Sequence, residues 1–337
     1  MFPMLRLVFA TSLAMVLAAS GARANDSTAE LATGGLVFVR NDAIEMRAED
    51  LYISTAEIRV TYRFFNKTDH DVRVQVAFPL PEIKIEHMDE NISLPTEDPV
   101  NIFGFTTQVN GRPVQTKVEQ RVTAQGVDRT RMLRDLGVPL APHLQSTNAV
   151  LDKLPRRQWD PLRKAGIVEI EEYDAGRGMQ QHLAARWALN TTFYWEQTFP
   201  ANAETVIEHR YRPSVGATVQ TSIGSSYDET EELTAYKRKY CMDDTFLAAV
   251  TRAPRAADNN YPPFSEERID YILSTGANWS GPIRGFRLVV DKGRPDNLVS
   301  FCGEGVTKIS PTQFEMRKTD YIPTGDFSVL FLKSLRN

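Results

Sequence analysis

Cysteine is nearly absent: Cys241 and Cys302 are the two in 337 residues, and no C-x-x-C pair occurs, so a dithiol redox centre is not expected. Histidine is sparse as well. His70, His87, His143, His182 and His209 are scattered, and none stands in H-x-x-x-H or H-E-x-x-H, the spacing that sets two imidazoles on one helical face. No metal centre is therefore expected. There is no G-x-S-x-G elbow, and Gly224-Ser225-Ser226 reads as linker, so no catalytic nucleophile is assigned. Gly303-Glu304-Gly305 is a lone turn that opens no helix, which leaves no phosphate-cradling loop and implies no cofactor. Cations are not in excess, with 39 Lys and Arg against 43 Asp and Glu. Binding to nucleic acid rests on neutralising phosphates, and without a basic stripe nucleic acid is not an expected partner. Fixed-period repeats and low-complexity tracts are also missing.

One long apolar run is present, at the start. Arg6 precedes Leu7 to Ala18, and small residues lead to Ala22-Arg23-Ala24, an A-x-A cleavage pattern. The run falls short of the roughly 20 residues that cross a bilayer. Residues 1–24 are therefore read as a secretory signal peptide cut after Ala24, leaving no transmembrane segment and a periplasmic or secreted chain. Asn25 rather than cysteine follows the cut, which argues against a lipoprotein anchor. Losing Arg6 and Arg23, with no acid, moves the formal charge from −4 to −6. In an oxidising compartment the two cysteines are expected to form one disulfide, worth ~4 kcal/mol in the chain-entropy picture, the alternative being two separate thiols.

Strand patterns dominate the chain beyond this leader. Ile58, Val60, Tyr62 and Phe64 face one way and Arg59, Thr61 and Arg63 the other, and the alternation resumes at Val72, Val74, Val76 and Phe78. The polar stretch 66–71 between them suggests a hairpin, and Pro79 and Pro81 end pairing. Asn110-Gly111 signals a second hairpin, between 105–109 and 114–122. Shorter strands are expected at 36–40 and 44–46. Strands at 184–199 and 205–211 are expected to pair across Pro200-Ala201-Asn202-Ala203, as consecutive β segments usually do.

Between them the period changes. Asp128 is placed to cap a helix ended by Gly137, and weaker helical patterns lie at 148–154 and 158–165, so 127–182 reads as a mostly helical insertion. After a linker at 215–230 comes a helix over 232–250, a loop at 252–263, and strands near 268–274, 285–290, 298–302, 313–317 and 326–332. The fold class is mainly β with helical insertions (α+β). An antiparallel β-sandwich domain spans 25–225 and carries the insertion at 127–182; a helix and a smaller C-terminal β unit span 226–337.

Candidate sites are few. The loop Glu86-His87-Met88-Asp89-Glu90-Asn91, with Glu97 and Asp98 nearby, is rich in oxygen ligands but lacks the alternation of a calcium loop and reads as solvated charge. The turn Thr275-Gly276-Ala277-Asn278-Trp279 follows a strand ending near Tyr271. An indole beside an amide suits a peptide or glycan groove, so Trp279, Asn278 and Tyr271 are the candidate ligand-binding residues, set against the bland reading that Trp279 packs an interface between β units.

Several runs together resemble a known bacterial family: Asn25-Asp26-Ser27-Thr28-Ala29-Glu30 with Gly34-Gly35-Leu36, Tyr62-Arg63-Phe64-Phe65-Asn66, Phe78-Pro79-Leu80-Pro81, His209-Arg210-Tyr211-Arg212-Pro213-Ser214, Thr275-Gly276-Ala277-Asn278-Trp279 and Ser300-Phe301-Cys302-Gly303. The chain resembles the exported family catalogued as domain of unknown function 4424. The resemblance implies a Gram-negative envelope setting and no particular activity. The leading expectation is a non-enzymatic binding module for an envelope protein, peptide or glycan. One rival is a secreted hydrolase between the β domain and the insertion, using acids such as Asp128 or Glu196 and a histidine such as His209. The other is a structural envelope component pairing through a sheet edge.

Overall fold

The computed structural model describes residues 26–32, 35–84, 91–174, 176, 178–225, 231–254 and 260–336. The expected signal peptide at 1–24, residues 86–90 of the acidic loop and Ser226 lie outside the described residues. Strands β1 (Ser27–Ala32), β2 (Gly35–Val39), β3 (Ile44–Ile53), β4 (Ile58–Asn66) and β5 (Val72–Pro79) open the fold, followed by the short β6 (Asn91–Ser93). Next come β7 (Thr106–Val109), β8 (Arg112–Val114), β9 (Lys117–Ala124) and β10 (Val127–Asp128). The insertion holds α1 (Thr130–Asp135), α2 (Gln145–Leu151) and α3 (Arg156–Lys164), then a hairpin of β11 (Val168–Asp174) and β12 (Met179–Ala185). After β13 (Ala188–Phe199), β14 (Glu204–Tyr211) and β15 (Val215–Thr218) come α4 (Glu231–Lys239) and α5 (Asp244–Arg252). The chain closes with β16 (Phe264–Tyr271), a 3-10 turn (Ser274–Asn278), β17 (Ile283–Asp291), β18 (Leu298–Phe301), β19 (Thr307–Lys308), β20 (Gln313–Tyr321) and β21 (Phe327–Ser334).

These strands build a six-stranded sheet ordered β10-β9-β13-β5-β1-β2, an eight-stranded sheet β19-β20-β17-β3-β4-β14-β7-β8, a five-stranded sheet β18-β21-β16-β15-β6, and the β11-β12 pair. The fold is mainly β, as expected, and the inward face of β4 is the alternating one read from the sequence, with Ile58, Val60, Tyr62 and Phe64 all buried. Across the core stand Leu189, Phe193, Trp195 and Phe199 from β13, together with Val76 and Phe78 from β5. The Asn110-Gly111 turn forms, with φ of 48° and 73°, the pair of left-handed residues that a tight two-residue hairpin demands, but the expected second strand over 114–122 breaks: β8 pairs with β7, whereas β9 pairs with β13 in the six-stranded sheet.

Two expected hairpins are not hairpins. β4 pairs with β3 and β14 in the eight-stranded sheet, whereas β5 pairs with β1 and β13 in the six-stranded one. β13 and β14 likewise lie in different sheets. Both connections are arches that carry the chain across the core. They run side by side, with Asn66 N–H donating to the Ala203 carbonyl and Asn202 N–H to the Thr68 carbonyl. The alternation that marks a half-buried strand is the same whether its neighbour in sequence is beside it or opposite it.

Other differences are local. The last third of the insertion is the β11-β12 hairpin rather than helix. The helix expected over 232–250 is broken into α4 and α5, because Cys241 takes φ of +49° and the Asp243 carboxylate caps the second helix through Phe246 N–H. The linker expected at 215–230 contains β15, and the expected boundary at 225/226 is not a sheet boundary. β17 lies parallel to β3, and β16 pairs with β15. The disulfide between Cys241 and Cys302 is formed, with a Cα–Cα distance of 4.9 Å.

Candidate functional site

The three residues singled out for ligand docking face inward. Trp279 is fully buried, its indole N–H donates to the Asp26 carbonyl at 2.5 Å, and its ring packs on Phe64 at 4.5 Å. Tyr271 is equally buried and shares a hydrogen bond with the Tyr62 hydroxyl at 3.1 Å. Asn278 Nδ2 donates to Ser27 Oγ at 2.9 Å. Together Trp279 and Asn278 clamp the start of β1, where Asp26, Ser27 and Thr28 are themselves buried. An extended ligand does not reach rings enclosed in this way, and the packing reading accounts for them.

Beside this clamp lies a buried polar chain. His209 Nε2 is 3.0 Å from Asp26 Oδ1, and its Nδ1 is 3.0 Å from Thr107 Oγ1. With the Nε2 proton on the Asp26 side, Nδ1 accepts from the Thr107 hydroxyl. Burial raises the Asp26 pKa above the usual carboxylate value, and the attraction of His209 offsets part of that. The order hydroxyl, imidazole, carboxylate is that of an acyl-transfer triad. Here it is walled by Phe78, Phe105, Trp195 and Tyr62, with ring centroids 4.8–5.8 Å from the imidazole. All three members are buried, so a substrate has no approach. The acids named with His209 are elsewhere: the Asp128 carboxylate accepts from Thr130 N–H at the start of α1, and Glu196 is paired with Arg73 on the outer face.

An accessible cleft of about 440 Å³ lies between α4 and the five-stranded sheet. Its floor comes from β6, β15 and β16, one wall from Ala235, Tyr236, Lys239 and Tyr240, and the other from residues 81–84. Each charge in it is held. Arg268 donates to the Tyr236 hydroxyl at 2.7 Å, which in turn donates to Glu266 Oε2 at 3.0 Å. Lys239 reaches Asp270 at 3.4 Å, and Lys84 reaches Glu82 at 3.7 Å. The Tyr236 and Tyr240 rings meet edge to face at 4.7 Å. Burial, with Glu266 beside Tyr236 and Asp270 beside Tyr240, pushes both phenols well above their ordinary pKa, so they remain donors. The result is an accessible recess in which Pro81, Ile83, Ile92 and two tyrosine rings are interleaved with charges of both signs, a composition compatible with a small-ligand site.

A second, polar recess of about 250 Å³ sits in the insertion between α2 and the β11-β12 hairpin. His182 Nδ1 is bound to Asp152 at 3.1 Å under a stacked Tyr173 ring. His143 adopts φ of +67°, and burial, then the nearby Arg186, lowers its pKa to about 4. The folded protein therefore holds His143 neutral where the unfolded chain protonates it. The stability this gives is present above about pH 6.5 and is lost as the pH falls towards 4. His143→Asn, which tolerates the left-handed backbone, is expected to flatten the acid limb of the stability curve over that window by about 2–3 kcal/mol. Urea melts at pH 4 and 7 check this; equal acid sensitivity in both proteins would show that His143 is not held neutral. Among the described residues, no group of three or more His, Cys, Asp or Glu is arranged to hold a metal ion.

The α4 cleft was not legible in the sequence, since its two walls, residues 81–84 and α4, are separated by well over a hundred residues, and of its lining only Pro81 and Ser214 fall at the ends of runs that carry the family resemblance. The buried cluster was partly legible: Asp26, Tyr62, Phe78, His209 and Trp279 all lie in the runs that carry the family resemblance. No curated protein matches the sequence. A crystal structure of a Legionella pneumophila protein described as a "putative nutrient binding protein" aligns with a TM-score of 0.46 and 16% identity, over 92% of this chain and 70% of that one. The family described as Domain of unknown function (DUF4424) matches residues 24–330, and the chain belongs to it.

Proposed function

We propose that the protein is an exported binding module of the bacterial cell envelope, and that the α4 cleft holds its ligand, a peptide or glycan fragment. The cleft carries this reading, because it joins tyrosine edges, apolar side chains and balanced charge in one accessible recess. A ligand with hydroxyls, amides or both charges finds a partner there for each, whereas a strongly acidic or basic polymer finds no surplus of opposite charge. The signal-type leader and the disulfide support export. No helix among the described residues is long and apolar enough to cross a membrane.

Calorimetric titration with soluble muropeptides, which carry both sugar and peptide, tests the reading. Lys239→Ala removes an exposed cation at the cleft wall without setting a like charge against Asp270, and its expected effect is an affinity loss of at least about tenfold (~1.4 kcal/mol) in a protein that still unfolds cooperatively. Unchanged affinity, or no binding by the native protein at millimolar concentration, would overturn the assignment.

A further inference from the structure

On the far side of the α4-α5 elbow lies a groove of about 760 Å³ with a different character. Phe246, Val299, Phe301, Val306, Phe314 and Tyr321 give it an apolar stretch beside Asp243 and the Glu304–Lys318 ion pair, and both Cys241 and Cys302 stand in its wall. Cys241 is exposed and Cys302 half-buried. The bridge therefore does not sit in the core, and exposed disulfides are the ones open to exchange with thiols. It is accessible, and it occupies the end of a surface suited to an apolar segment.

We infer that the Cys241–Cys302 bridge is a thiol–disulfide exchange site, and that the groove docks a protein dithiol whose reactive cysteine is flanked by apolar residues. A thiolate of the dithiol attacks the Cys241 sulfur from the groove, the bridge breaks, and Cys302 leaves as a thiolate that takes up one proton. Its sulfur lies 3.6 Å from the Lys239 carbonyl, which then accepts from the S–H. The second thiol of the partner attacks the mixed disulfide and releases Cys241 as a thiol. The bridge has gained two electrons and two protons, and the partner dithiol has become a disulfide.

Exchange has a consequence for α4. The bridge and the hydrogen bond from Ser300 Oγ to the Tyr240 carbonyl, at 3.0 Å, tie the elbow to the end of β18. Tyr240, the residue before Cys241, lines the α4 cleft on the opposite side. Opening the bridge frees this end of the cleft wall and weakens ligand binding there. That consequence rests on the cleft being the ligand site, whereas the exchange does not.

The oxidised protein is treated under native conditions with dithiothreitol or with reduced bacterial thioredoxin, and free thiols are counted by alkylation and mass spectrometry. Both reagents are expected to open the bridge without denaturant. Val306→Asp, placed in the groove wall, is expected to slow thioredoxin at least tenfold and leave dithiothreitol unaffected. Hydrogen exchange in α4 is expected to rise at least tenfold on reduction while β3 and β4 stay protected. A bridge that opens only in denaturant overturns the exchange site. Equal effects of Val306→Asp on both reagents, or no effect on either, overturn the docking groove, and unchanged exchange in α4 overturns the coupling. If these results hold but the oxidised protein fails to bind muropeptides, the cleft reading falls and the exchange site stands.

Discussion

Trp279→Ala is expected to lower the stability of the protein by about 4–5 kcal/mol, measured by urea unfolding at neutral pH. Truncating a buried Trp or Phe to alanine costs about 3–5 kcal/mol through lost burial and the cavity left behind. Trp279 is fully buried against Phe64 and Phe199. A second cost comes from its indole N–H, which satisfies the Asp26 carbonyl. Leaving that buried acceptor without its donor adds to the packing loss, since the penalty for an unsatisfied buried group is about 1–3 kcal/mol. Trp279→Phe keeps most of the ring and forfeits the hydrogen bond, so it is expected to cost about half as much. The loss should be felt at a distance along the chain. With the clamp weakened, hydrogen exchange at Thr28 and Ala29 is expected to quicken before that of β4. A loss below about 1 kcal/mol for Trp279→Ala would show that the indole is not the anchor of β1.

The same residue shows how far the sequence could be read. Trp279 in a turn after a strand fits either a ligand platform or a packing anchor, because both roles use a large amphipathic ring next to a backbone that changes direction. The sequence holds no sign of which side of the turn faces the core. The deciding partner, Asp26, lies more than 250 positions away. For the same reason the strands themselves were legible and their neighbours were not. Period-two alternation reports one buried face, and β4, β13 and β14 each have one, whereas β5 is buried on both faces over its last four residues. Pairing depends instead on how the chain turns between strands. The Asn110-Gly111 turn specifies a hairpin through two left-handed residues, and a short one forms between β7 and β8, but the rest of the expected second strand crosses to the other sheet as β9. The α4-α5 break was hidden because Cys241 is not a residue that advertises a positive φ. The α4 cleft is a product of tertiary placement, with a floor from β6, β15 and β16 and walls from α4 and residues 81–84.

Asn66→Ala is expected to cost about 3 kcal/mol, because this side chain is what makes the connection after β4 an arch. Asn66 is fully buried, and its Nδ2 donates to the His70 carbonyl at 2.8 Å and the Phe199 carbonyl at 2.9 Å. Its Oδ1 accepts from both the backbone N–H and the hydroxyl of Thr68, at 2.9 and 2.7 Å. One amide therefore joins the end of β4, the turn after it and the end of β13 in the opposite sheet. Each hydrogen bond is worth about 1 kcal/mol net, and the Phe199 carbonyl is left buried when its donor goes. Asn66→Asp separates the two halves of the amide. It keeps the acceptor for Thr68, loses both donors, and sets a carboxylate against two carbonyl oxygens, so it is expected to destabilise at least as much as alanine at neutral pH. Protonation restores one donor, and the deficit of Asn66→Asp should shrink below the carboxylate's pKa while that of Asn66→Ala does not. Urea melts of both variants at pH 4 and pH 7 make the comparison. If both lose less than about 1 kcal/mol at neutral pH, the arch is held by strand pairing alone and the amide is incidental to it.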